Sequence, residues 1–222
     1  MEMSDIRRSI LASSGPNSDR ALIERLRGRQ DAAAILRDLS GDRDPDVRDW
    51  VVGSVRQILG SESSETLQKL ALDSDAGISD SALDEYLSLQ LPLPKALVRR
   101  LRSKLSSSDY WEPVAAIWLI VRAGVDELRP AIRSVLERPA YPWHRNEAEV
   151  ALDLIENGPS RVYEGLRNHD HDHMSTFIRA ATALRTDDAR RALEACVRLA
   201  ADDDCTRLCQ LALENFERNV RR

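Results

Sequence analysis

Two short clusters in this 222-residue sequence carry residue types with ligand or redox chemistry. The first, His169-Asp-His-Asp-His173, holds three of the four histidines. Imidazole nitrogens and carboxylate oxygens are ligands for zinc or nickel. Residues this close together rarely converge on one ion without remote ligands, and the spacing matches no structural zinc motif. Asp170 and Asp172 also fit a helix-capping role in an exposed turn. The expectation is therefore no metal and no cofactor, with His169, His171 and His173 as the residues to watch. The second cluster is Cys205 and Cys209, four apart and so on one helix face. A thiolate pair there could bind metal or change redox state. Small buried apolar filler is the competing reading. With Cys196 the chain has three cysteines, an odd and low number that argues against a disulfide framework and fits a reducing cytosol. No Gly-rich phosphate loop, nucleophile elbow or HExxH motif occurs.

Composition narrows the function classes. Apolar residues make up 42% and charged residues 31%, with a net charge of −5. Residues 1–111 hold 16 basic and 18 acidic side chains, and residues 112–222 hold 16 and 19. Nucleic-acid affinity comes from neutralising phosphates, so this balance speaks against a general nucleic-acid binder. The bias of Arg over Lys reads as genome composition. The longest apolar run, Val114 to Val121, has eight residues, far below a membrane span. The N-terminal stretch lacks the pattern of a signal peptide. A soluble, cytoplasmic protein with no membrane partner is expected, with a bacterial origin.

The elements that would position any site come from a repeat. Ile35–Val47 aligns with Thr66–Ile78 at an offset of 31. Leu36 then falls on Leu67, Leu39 on Leu70, Asp42 on Asp73, Asp44 on Asp75, Val47 on Ile78, Val51 on Ala82 and Ile58 on Leu89. Each unit reads as helix, Asp-rich turn, helix. Later units are looser. The spacing predicts first helices at 95–105, 126–137, 160–167 and 187–199. It predicts second helices at 111–123, up to about 157, at 174–184 and up to about 220. At an offset of 34, Leu128 falls on Val162, Ile132 on Leu166 and Gly124 on Gly158. The stretch before residue 30 supplies capping helices. Pro45 and Pro113 suit the first turn of a helix, and Gly60, Gly124 and Gly158 suit its C-terminal end. Val47, Val51, Val55 and Ile58 form one apolar stripe, with Arg48, Val52 and Arg56 on another face.

Residues 42–60, DRDPDVRDWVVGSVRQILG, resemble the turn and second helix of a HEAT repeat. The matching positions are Asp42, Pro45, Val47, Arg48, Val51, Val55 and Gly60. The resemblance implies an all-α chain, a right-handed α-solenoid of about six antiparallel helix pairs in one domain spanning residues 1–222. It also implies a ladder between repeats, made by the turn Asp and the Arg six residues later. Asp42 and Arg48 match that pair; the next unit keeps Asp73 but has Ser79 in the Arg position. Members of the family are generally binding scaffolds, and some relatives are DNA glycosylases or pigment lyases.

The expected role is a non-catalytic scaffold that binds a protein partner on a concave face lined by second helices. One form of it is an antitoxin-like or immunity protein that blocks another protein's active site. The arginines to consider are Arg48, Arg56, Arg122, Arg145 and Arg179. With Asp49, Glu149 and Asp153 they make a mixed-charge groove or, equally, a set of internal salt bridges. Tyr110-Trp111 and Tyr141-Pro-Trp143 stand at the turns of consecutive units. They fit either an interface edge or staples for their own helix starts. Trp118 reads as core, and Trp50 as packing at the edge of an inter-repeat seam. Lys95, Arg99, Arg100, Arg102 and Lys104 make one helix basic, which fits a solvated outer face or a site for an acidic partner. A nucleic-acid-acting enzyme like the HEAT-like DNA glycosylases is the alternative, and a metal-dependent function at residues 169–173 is a second.

Overall fold

The computed structural model describes residues 2–12, 16–137, 142–168, 170, 172–199 and 203–220. Among them every regular element is a helix, and none is long and apolar enough to cross a membrane. The packing divides the chain into two compact units, Met1–Leu97 and Val98–Arg222.

The first unit contains α1 (Met3–Leu11), α2 (Pro16–Leu26), α3 (Ala32–Leu39), α4 (Pro45–Leu59), α5 (Ser64–Leu70) and α6 (Ala76–Leu87). Helix α4 packs against the other five. Its start is set locally. Asp44 accepts the Asp46 N–H at 3.1 Å, and Pro45 takes a first-turn position where a missing N–H is harmless. Gly60, with φ of 58°, ends it. Val47, Val51, Val55 and Ile58 are buried, as the spacing predicts. Val52, which shares a face with Arg48 and Arg56, is buried too. The sequence match of Ile58 with Leu89 does not extend to structure: Leu89 lies beyond the end of α6 and is only half-buried. Trp50 donates from Nε1 to Asp19 at 3.1 Å, which ties α4 to α2.

A ladder of ion pairs crosses this unit. Arg7 on α1 donates to both carboxylate oxygens of Asp42, at 2.8 and 3.3 Å. Arg48 on α4 does the same to Asp73, at 2.7 and 3.1 Å, and also donates to the Asp42 carbonyl at 2.9 Å. Each of these carboxylates also shapes its own turn. Asp42 accepts the Asp44 N–H at 2.9 Å, and Asp73 accepts the Asp75 N–H at 2.8 Å. Where a further Arg would extend the ladder stands Ser79. Its buried hydroxyl donates to the Ala71 carbonyl at 2.8 Å.

In the second unit are α8 (Glu112–Ala123), α9 (Arg129–Leu136), α10 (Pro142–Asn157), α11 (Ser160–Asn168), α12 (Met174–Leu184), α13 (Asp187–Leu199) and α14 (Asp203–Val220). The boundary between the units falls within α7 (Lys95–Leu105). The aligned pairs Leu128/Val162 and Ile132/Leu166 are all buried, and Gly124 and Gly158 both end a second helix with φ of 62° and 80°. Helix α8 is buried from Val114 to Ile120 except at Ala115. Helices α8, α10 and α12 each pack against the other two. In a linear row of second helices only neighbours touch; the direct α8–α12 packing closes these three into a triangle. Pro142 and Trp143, expected at a turn, instead begin α10.

One close approach in this unit depends on a glycine. A Cβ built on Gly165 of α11 would overlap the Phe177 ring of α12. Two outcomes test the packing of these units. The Arg7 hydrogen bond holds the Asp42 carboxyl below its ordinary range. Burial pushes Asp73 upward, but the Arg48 and Asp75 hydrogen bonds outweigh it and leave Asp73 low as well. A carboxylate depressed by folding stabilises fully above its unfolded pKa, about 4, and loses that contribution as pH falls through its folded value. Asp42→Asn with Asp73→Asn should therefore flatten the loss of stability below about pH 4, read from urea midpoints; an unchanged pH slope would exclude the ladder as its source. Gly165→Ala gains up to about 1 kcal/mol of helix propensity but should lose roughly 1–3 kcal/mol to overpacking. Net destabilisation, partly rescued by Phe177→Leu in a double-mutant cycle, is the expected result.

Candidate functional site

Tyr110 and Trp111 lie at the junction of α7 and α8. The Asp109 carboxylate accepts the Trp111 and Glu112 N–H groups at 2.7 and 3.1 Å, and both bonds hold it below the ordinary Asp range. Trp111 is the residue before α8, and Trp143 is the second residue of α10. The side chain between the two turns is His144. It is buried, and its Nε2 lies 2.6 Å from the Tyr110 carbonyl oxygen. A carbonyl only accepts, so Nε2 carries the proton and donates. The His144 ring also packs on the Tyr110 ring, with centroids 5.3 Å apart. Tyr110 in turn meets Trp111 edge-on at 4.8 Å. The starts of α8 and α10 are thus clipped together, with Trp111 64% and Trp143 54% exposed beside the clip. Tyr141 lies outside the described residues.

The expected arginines are engaged inside the chain. Arg48 pairs with Asp73 at 2.7 Å, Arg56 with Glu85 at 3.4 Å, Arg145 with Glu149 at 3.2 Å, and Arg179 with Glu147. Arg122 is half-buried near the end of α8. The basic helix α7 is not uniformly an outer face. Arg99 and Arg102 are exposed, but Lys104 is buried and faces Glu112 at 3.4 Å. Glu112, hydrogen-bonded by Ser107, stays below the usual glutamate range although burial opposes it; Lys104 adds to that pull. Along α7, Leu97, Leu101, Lys104 and Leu105 share one buried stripe, so Lys104 occupies a core position.

Three helices of the second unit meet at a carboxylate that sequence reasoning did not single out. Glu147 on α10 is 1% exposed. Its Oε2 accepts the indole N–H of Trp118 on α8 at 2.6 Å. Its Oε1 accepts the Thr176 hydroxyl on α12 at 3.0 Å and the Arg179 guanidinium on the same helix. The signal lay in the pattern of α10: Glu147, Ala151 and Leu154 follow the i, i+4, i+7 spacing of a buried face. A carboxylate on such a face is buried only with partners. With three donors from α8 and α12 bound to its two oxygens, it ties these helices to α10.

Helices α9, α10 and α11 bound an open groove of about 380 Å³ lined by Arg133, Glu149, Asp153, Glu156 and Arg161 among others. Arg133 pairs with Glu156 at 2.8 Å, and Arg161 reaches Asp153 at 4.0 Å. Glu149 and Asp153 line this groove beside Arg133 and Arg161, and none of the five arginines expected with them does.

The remaining clusters differ from their sequence readings. His169 and His171 lie outside the described residues. His173 approaches the Asp170 carboxylate at 3.2 Å and packs near Phe177. It occupies the N-cap position of α12 without a side-chain cap bond, so the capping role expected of the two aspartates is not seen there. Among the described residues no three His, Cys, Asp or Glu side chains group so as to hold a metal. The cysteines do form a disulfide, and not between the pair singled out: Cys196 on α13 bonds Cys209 on α14. Side chains four apart on one helix point the same way, whereas a disulfide needs Cβ atoms that face each other from two elements.

Removing the Glu147 carboxylate should expose its role. Glu147→Ala leaves the Trp118 N–H, the Thr176 hydroxyl and the Arg179 charge without their acceptor, and should cost about 3–5 kcal/mol. Glu147→Gln should fall between, because its amide N–H₂ opposes a donor. Denaturant titrations followed by tryptophan fluorescence measure both; a loss under about 1 kcal/mol would remove Glu147 as a tie. Compared with models of known protein families the chain gives no match, and no curated protein aligns with it significantly.

Proposed function

We propose that this chain is a non-catalytic protein-binding module built of HEAT-like helix pairs, and that it grips a protein partner along the aromatic edge at Trp111 and Trp143. The observation that carries the proposal is the clip. Buried His144 meets the Tyr110 carbonyl, and the neighbours in sequence of these two residues, Trp143 and Trp111, are each more than half exposed. Tryptophan is the residue type most enriched at binding hot spots, and a rigid support lowers the ordering cost of binding. Within the second unit Arg145 and Arg179 are already paired with Glu149 and Glu147, and a pair satisfied within the chain must be broken before it can serve a partner. The HEAT-like reading draws on the turn at residues 42–60 and on the Arg7–Asp42 and Arg48–Asp73 rungs. An immunity- or antitoxin-type inhibitor is the specific form this proposal takes, because an acidic module of this size fits over another protein's active site.

The test is a binding measurement on the protein partner recovered at stoichiometric amounts by affinity capture. Trp111→Ala with Trp143→Ala should weaken that complex by about 30-fold or more, the scale of a hot spot. Thermal midpoint and circular dichroism should stay unchanged. Unaltered affinity in a correctly folded double variant would overturn the proposed edge.

A further inference from the structure

Leu91-Pro-Leu-Pro94, between α6 and α7, belongs to no helix. Covalent geometry sets its shape. The pyrrolidine rings of Pro92 and Pro94 hold φ at about −65°, and each proline keeps the leucine before it out of the helical region. All four residues are thereby biased to the extended polyproline II conformation. Both halves of this strap are held. The Tyr86 hydroxyl donates to the Pro92 carbonyl at 3.1 Å, and the Leu97 N–H donates to the Pro94 carbonyl at 2.9 Å. Its first two side chains stay in water: Leu91 is 42% exposed, and Pro92 is exposed as well. A strap already held in one conformation loses little freedom when it docks, and aromatic surfaces of proteins bind such segments for that reason.

The same chain carries an aromatic surface of that kind. The Tyr110 and Trp111 rings stand at 88° to each other with centroids 4.8 Å apart, and so form a corner whose Trp111 wall is 64% exposed. Buried His144 packs on Tyr110, with ring centroids 5.3 Å apart, and keeps that wall in place. The two places also carry opposite charge. Exposed Lys95 follows the strap, and exposed Asp109 precedes the corner. We propose that a second copy of this chain is an occupant of the aromatic edge: Leu91 and Pro92 of one copy seat against Tyr110 and Trp111 of the next, with Lys95 beside Asp109. This inference rests on the reading of that edge as a binding surface. The contact joins two different patches, so it is heterologous. A heterologous contact can be rebuilt from two copies that are each defective on a different side, which a self-complementary contact cannot.

Sedimentation velocity of the pure full chain over a concentration series tests this. The wild type should self-associate at concentrations up to about 1 mM, the weak end of specific binding. Leu91→Ala with Pro92→Ala removes the exposed side chains of the strap and keeps a carbonyl at position 92 for Tyr86. Trp111→Ala removes the exposed wall of the corner. Each variant alone should associate about 30-fold more weakly than the wild type. An equimolar mixture of the two should form a 1:1 pair that neither forms alone, and that pair also shows both variants to be folded. A wild type that stays monomeric at about 1 mM, variants that associate as the wild type does, or a mixture that forms no pair would each overturn the proposal. The measurement needs no other protein, so the two readings fail separately. A monomeric wild type whose captured protein partner is still weakened by Trp111→Ala with Trp143→Ala removes the second copy and leaves the edge.

Discussion

Helices of eight to sixteen residues, such as α3 and α10, are marginal by themselves in water. Each carries an apolar stripe that must be covered by a neighbour, because hydrophobic burial supplies the stability that a few turns of backbone hydrogen bonding do not. The rest of this structure follows from that constraint. What distinguishes one arrangement of such helices from another is which stripe meets which. Burial alone is poor at that choice, since one Leu-rich stripe covers another almost as well as a third.

Polar groups make the choice. In the first unit the turn carboxylates Asp42 and Asp73 each hold a loop in shape and accept a guanidinium from another helix. One side chain thus couples local turn geometry to tertiary packing, and a slipped register would leave both functions unmet. In the second unit Glu147 has the same job deeper in the protein. A buried carboxylate is tolerated only where donors converge, and here they come from α8 and α12 at once. Such a tie need not add much to net stability over a well-packed apolar group. Its effect is to penalise alternative packings, and the mutual contact of α8, α10 and α12 is the arrangement that it selects.

The same logic separates the surface into two kinds. Charged side chains of α9 and α10 pair with each other, as with Arg133 and Glu156 or Arg145 and Glu149. Trp111 and Trp143 are not absorbed in this way. Their helix starts are held by Asp109 and His144, yet more than half of each side chain stays in water. A protein that fixes large apolar groups at its surface forgoes the stability that burying them would bring. That cost is the physical basis for reading the aromatic edge as a binding surface.

Local chemistry was legible in the sequence. The limits of α7, α12 and α13 agree with the predicted 95–105, 174–184 and 187–199. Caps, first-turn prolines and terminal glycines act within a few residues and leave a pattern in the chain. The apolar stripe of α4 and the equivalence of Gly124 with Gly158 belong to the same class. What tertiary structure decided lies at separations of 8 to 35 residues. His144 reaches Tyr110, Glu147 collects Trp118 and Thr176, Lys104 becomes a core residue, and Cys196 rather than Cys205 finds Cys209. Periodicity shows that a position faces inward. It does not show what waits there, because that depends on the angle and register at which two helices cross, and those are set by the summed packing of all their neighbours.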